Sequence, residues 1–164
     1  MQTLWSLLQV LSALTPQQNA ADVAALTGVS LKLANANEYA NFYESAPLKL
    51  DGGIVVGSLG VRERKTGKSD PLTIYLSDFQ GSCVTQAMLK QHGVTDFGLP
   101  SPVSPPPMGS AGAWPDDIRY RETLSAKYKG KIVSLLFKGR EIKLASQCLE
   151  SMTININSGD SGKS

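Results

Sequence analysis

Two cysteines, Cys83 and Cys148, stand 65 residues apart in a chain that has no others. A bond between them would tie two halves of one domain together, and it restricts the chain to folds that bring both positions within reach. Chain-entropy reasoning assigns the closure of so long a loop about 4 kcal/mol of stabilisation. Two separate buried thiols are the alternative, since cysteine also serves as a small core residue. The bonded reading is favoured because the two positions look analogous. Each falls in or at the start of a short segment of helical spacing that follows a β-hairpin. A bonded pair points in turn to an oxidising compartment.

The 164 residues suit one domain with a core of its own, and a hydrophobic content of 41% is that of a globular chain. The net charge of +2 gives no argument for nucleic acid. Charge is uneven, however: residues 118–143 carry eight Lys and Arg against two Glu, and residues 1–60 two Lys against four acids. A solvated outer strand face accounts for such a basic stretch. Tyr120 and Tyr128 alternate with Arg119, Arg121 and Lys127, which places aromatic rings and cations on opposite faces and not on one stacking platform.

The first 14 residues have the apolar length of a signal peptide but no basic stretch before it. Ser6, Gln9 and Ser12 fall on one helical face, and Leu4, Leu7, Leu8, Leu11 and Leu14 line the other. That pattern predicts an amphipathic helix of a folded domain, too short to span a bilayer. The expectation is the mature form of an exported protein, its leader removed and replaced by Met.

Thr15-Pro16-Gln17-Gln18 predicts a second capped helix that ends at Gly28. Val29 to Ala34 and Tyr39 to Glu44 are short strand candidates. Alternation of Val55, Gly57, Leu59 and Val61, and then of Leu72, Ile74 and Leu76, predicts a hairpin. Ser82 is placed to cap a helix over Val84, Ala87, Met88 and Gln91. The same grammar recurs over 119–152, where Ile142, Ala145, Cys148, Leu149 and Met152 have helical spacing and Thr153 to Asn157 reads as an edge strand. The expected fold is α+β: an antiparallel sheet with helices on one face, two of them N-terminal, and a hairpin–helix pseudo-repeat. Residues 1–157 form the single domain and 158–164 a disordered tail.

Catalytic parts are few. His92, the single histidine, lies at a predicted helix end, where it complements the dipole. Cys83 as a thiol nucleophile competes with the disulfide, which also explains Cys148. One His and two distant Cys make a poor zinc set, so no metal and no cofactor is expected. No pair among the fourteen acids stands out as a general acid and base. Residues 98–117 differ from their surroundings: 98–115 alone hold six prolines without periodicity, together with Met108 and Trp114. A long stiff loop with bulky apolar side chains reads as a partner-binding surface. Met108 and Trp114 would be its anchors, and Asp116 and Asp117 its charged flank.

Leu26-Thr27-Gly28-Val29, Asn37-Glu38-Tyr39-Ala40-Asn41-Phe42-Tyr43-Glu44 and Leu48-Lys49-Leu50-Asp51-Gly52-Gly53 resemble small exported proteins of Gram-negative bacteria. Among these are immunity proteins that neutralise toxins delivered by type VI secretion. The resemblance covers roughly residues 15–65 and carries no functional residues over. It implies a periplasmic, non-enzymatic protein whose partner is a toxin or effector protein. A small envelope hydrolase with unidentified carboxylates, or a structural or adaptor subunit of an envelope assembly, are the alternatives.

Overall fold

The computed structural model describes residues 2–65, 72–99, 101–102, 122–138 and 148–156. The chain opens with helix α1 (Leu4–Ser12), where Thr3 and Ser6 cap one another reciprocally. Its leucine stripe is buried, as the spacing predicts. Ser12, expected on the polar face, is buried as well, and its hydroxyl donates to the Gln9 carbonyl at 3.0 Å. Helix α2 (Ala20–Thr27) starts later than predicted. Its cap is Asn19, paired with Asp22. Thr15 and Gln18 do exchange bonds, but around an isolated turn. A capping box closes a turn wherever it occurs; a helix continues only where an apolar face can be buried, and here that face begins at Ala20 and Val23.

Ten strands follow, all pairing antiparallel among the described residues: β1 (Lys32–Ala36), β2 (Ala40–Glu44), β3 (Leu48–Lys49), β4 (Ile54–Arg64), β5 (Leu72–Gly81), β6 (Val94–Thr95), β7 (Ser101–Pro102), β8 (Glu122–Tyr128), β9 (Lys131–Lys138) and β10 (Cys148–Ile156). Helix α3 (Gln86–Gln91) lies between β5 and β6 and is capped by Thr85, three residues after the predicted Ser82. Sheet order is β1-β2-β4-β5-β10-β9-β8-β6, with β3 beside β4 and β7 beside β8. The α+β class with helices against one sheet face is as expected.

Register builds the core. One row across the sheet runs Val61, Ile74, Ile154, Val133, Ala126, and the next Leu59, Leu76, Met152, Leu135, Leu124. All ten side chains are buried, in one cluster with the apolar faces of α1, α2 and α3. In β4 the buried positions change parity, from Ile54 and Val56 to Leu59 and Val61. The change falls where Asp78 of the paired strand adopts a left-handed φ of 59°. Opposite it a Cβ on Gly57 would lie 2.7 Å from the Asp78 Cβ, so the strands approach too closely there for any larger residue.

The predicted helix through Cys148 and Met152 is not formed, and the expected pseudo-repeat with one cysteine in each helix fails with it, since Cys83 precedes α3 and Cys148 lies in a strand. Residues 148–156 are a strand, and Thr153 to Ile156 lie between β5 and β9 instead of at an edge. A bulge between Leu149 and Ser151 explains the misleading spacing. The extra residue lets Leu149 and Met152, three apart, both face the core, which imitates helical periodicity. Likewise the first strand is Lys32–Ala36, not Val29 to Ala34. Val29 instead closes the end of α2 in the core.

Candidate functional site

The side chains with chemical potential fall into three structural nodes and one exposed edge. The first node is the disulfide. Cys83 and Cys148 are bonded, with Cα atoms 5.1 Å apart. The bond joins the segment before α3 to the first residue of β10, and beside it the Leu149 N–H donates to the Val84 carbonyl at 2.8 Å. Cys83 therefore supplies no thiolate. A bonded pair fits an oxidising, extracytoplasmic location.

His92 forms the second node. It caps the C-terminus of α3, as its sequence position suggests, and lies flat on the indole of Trp5, ring centroids 3.8 Å apart and planes 5° from parallel. The stack ties the end of α3 to the N-terminal helix. Nearby, Lys90 Nζ stands 5.5 Å from the Phe97 ring centroid. Nothing in the sequence pattern links Trp5 with His92; only the fold brings them together.

Glu63 makes the third node. Its carboxylate accepts from the Ala20 N–H at 2.8 Å, the first residue of α2, and from Asn41 Nδ2 at 3.1 Å. A carboxylate at a helix start satisfies an orphan donor and complements the dipole. Burial, and after it the Glu63 charge and hydrogen bond, raise the Tyr43 hydroxyl above the ordinary phenol range. Arg64 next in sequence donates to the Pro16 carbonyl. The end of β4 is thereby fastened to the start of α2. Sequence reading missed this node because its members lie 22 and 43 residues apart.

The edge is β1. All five of its residues are exposed, and among the described residues only β2 pairs with it. Leu33 is 58% and Tyr39, in the following turn, 50% exposed. Away from this edge, the face opposite the core is rich in hydroxyl groups, with Ser58, Ser77 and Ser151 in one row and Tyr75 and Thr153 in the next. A shallow cleft of about 350 Å³ lies between Gly28–Ser30 and Ser45–Leu50, with Lys49 as its one charged side chain.

Met108, Trp114, Asp116 and Asp117 lie outside the described residues, as do Arg119 and Arg121. In the basic hairpin, Tyr128 is buried and Lys127 exposed, the core-against-solvent division read from the alternation. Lys129 and Gly130 both take positive φ, 50° and 83°, in the two-residue turn that joins β8 to β9. Among the described residues, no helix is long and apolar enough to cross a membrane. No family model, curated protein or solved structure matches the chain.

Proposed function

We propose that the protein is an exported, non-enzymatic binding protein of the immunity type, which acts in the periplasm by occupying a toxin or effector protein. The observation that carries the reading is the engagement of the reactive groups. Both cysteines are in one bond, and one face of the exposed His92 ring lies on Trp5. The two cysteines and the single histidine thus help to hold elements together. A stapled sheet with an exposed edge suits a preorganised binder, which loses little entropy on association. The disulfide supports the exported location.

The test is biochemical. Affinity purification of the oxidised protein from the periplasm of its host should recover one partner in stoichiometric complex, and adding the purified protein should abolish that partner's enzymatic activity. Recovery of no stoichiometric partner, or turnover of a small substrate by the purified chain alone, would overturn the reading.

A further inference from the structure

The Cys83–Cys148 bond lies at the rim of the core and is not sealed inside it. Cys83 is exposed, as are Gly81 and Ser82 before it, whereas Cys148 is half-buried. The residue after each cysteine, Val84 and Leu149, is buried in the core cluster.

Main-chain contacts of their own also join the two segments. The Leu149 N–H donates to the Val84 carbonyl at 2.8 Å, which repeats the link between the cysteines one residue further on. On the other side of Cys83, the Ser82 N–H donates to the Gly53 carbonyl at 2.9 Å. A Cβ on Gly81 would collide with that same carbonyl oxygen, so the chain at 81–82 rests backbone to backbone on Gly53. Cys148 in turn opens a strand paired with β9 along its length and with β5 from Ser151 onward.

The two sulfurs meet different surroundings. In thiol–disulfide exchange a thiolate attacks the sulfur it can reach, and the other sulfur leaves as a thiolate. Access favours attack at Cys83. Charge favours Cys148 as the leaving sulfur: Lys138 lies directly across the ladder from it, on the same sheet face, and a neighbouring cation stabilises a thiolate.

We propose that Cys83 and Cys148 form a reversible redox site on the folded protein, with Cys83 the exchange thiol, Cys148 the resolving thiol, and a dithiol and its disulfide as the reagent pair. In the opening direction a thiolate of the dithiol attacks the Cys83 sulfur. A mixed disulfide forms there, and Cys148 leaves as a thiolate that takes up a proton. The second thiolate of the reagent then attacks the reagent sulfur bonded to Cys83, which completes the reagent's own disulfide and releases Cys83 as a thiolate that is protonated in turn. Two electrons and two protons pass from the reagent to the protein. Closing runs the same steps backwards. None of the contacts at Ser82, Val84 and Leu149 passes through a sulfur, so they hold the two cysteines, Cα atoms 5.1 Å apart in the bonded form, within reach in the dithiol form as well.

The experiment treats the full oxidised chain in native buffer with dithiothreitol, and in a second arm with reduced glutathione. Acid quenching and peptide mass mapping locate the sulfur species, and amide hydrogen exchange follows the core. Opening should quicken about tenfold for a tenfold rise in dithiothreitol, while the amides of Leu59, Leu76 and Met152 stay protected. Glutathione trapped midway should be on Cys83 about tenfold more often than on Cys148. Replacing the reductant by glutathione disulfide should restore the bond without a denaturing step. No opening below denaturing conditions, an opening rate that levels off at the rate of global unfolding, loss of core protection on reduction, equal or greater labelling of Cys148, or failure of the reduced chain to close would each overturn the proposal.

Discussion

His92 shows how a residue of catalytic type can also serve a structural contact. Parallel rings at 3.8 Å are in direct contact. An aromatic pair is worth about 0.5–1.5 kcal/mol beyond the area it buries. His92→Ala should therefore lower the unfolding free energy in urea by about 1 kcal/mol, His92→Phe should restore it, and neither should change partner inhibition. Three tyrosines make a prediction about alkaline pH. Tyr39 is raised above its usual 10.0 by its bond with Glu38 and then by burial, Tyr43 by burial and then by Glu63, and Tyr128 by burial. Above pH 10 the unfolded chain releases these protons before the folded one does. The folded state then binds more protons, and stability falls as pH rises through the folded values. Below the unfolded value the three groups contribute their full stabilisation. Urea titrations at about pH 9 and about pH 11, with phenolate absorbance as the second probe, should show the decline. Glu63→Gln should make the Tyr43 part of it shallower.

At the scale of the element, β10 is the instructive case. Its strand assignment predicts alternation along 152–156. Ile154 is 1% exposed at the centre of the core row, so Ile154→Asp should cost more than about 4 kcal/mol and prevent folding. Thr153 faces the other side, and Thr153→Asp should cost no more than about 1 kcal/mol. Thermal melts of the two variants check the pair. Leu149 and Met152, read with Ile142, Ala145 and Cys148 as helical spacing, are three apart because a single bulge turns a two-residue period into an apparent three-residue one, while Ile142 and Ala145 lie outside the described residues. Elements without a bulge were legible: α1 from its leucine stripe, and β5 from Leu72, Ile74 and Leu76. β1 was harder to delimit, since Lys-Leu-Ala-Asn-Ala has no alternation when neither face is buried. The exposure of this edge was hidden for the same reason. Hydrophobic patterning reports burial, and an exposed edge has none to report.

For the whole molecule, the disulfide was the most legible tertiary fact, yet one ground for it does not hold: Cys83 precedes helix α3, whereas Cys148 opens strand β10, so the two positions are not analogous. In chain-entropy terms its removal should cost about 4 kcal/mol, visible as a lower urea midpoint for the Cys83→Ser, Cys148→Ser variant. Free-thiol counting on the denatured, unreduced protein should find no reactive group. Which strands neighbour which could not be read off in this way, because the long connections leave strand order open. That order matters beyond architecture. β10 separates β5 from β9, so among the described residues strands β1–β5 and the β8–β9 hairpin share no pairing until 148–156 arrives between them. A chain emerging N-terminus first would carry only the β1–β5 part of the sheet for most of its passage, and the β8–β9 part would be complete just before β10 follows. Final closure, and with it the cysteine bond, waits for the last strand.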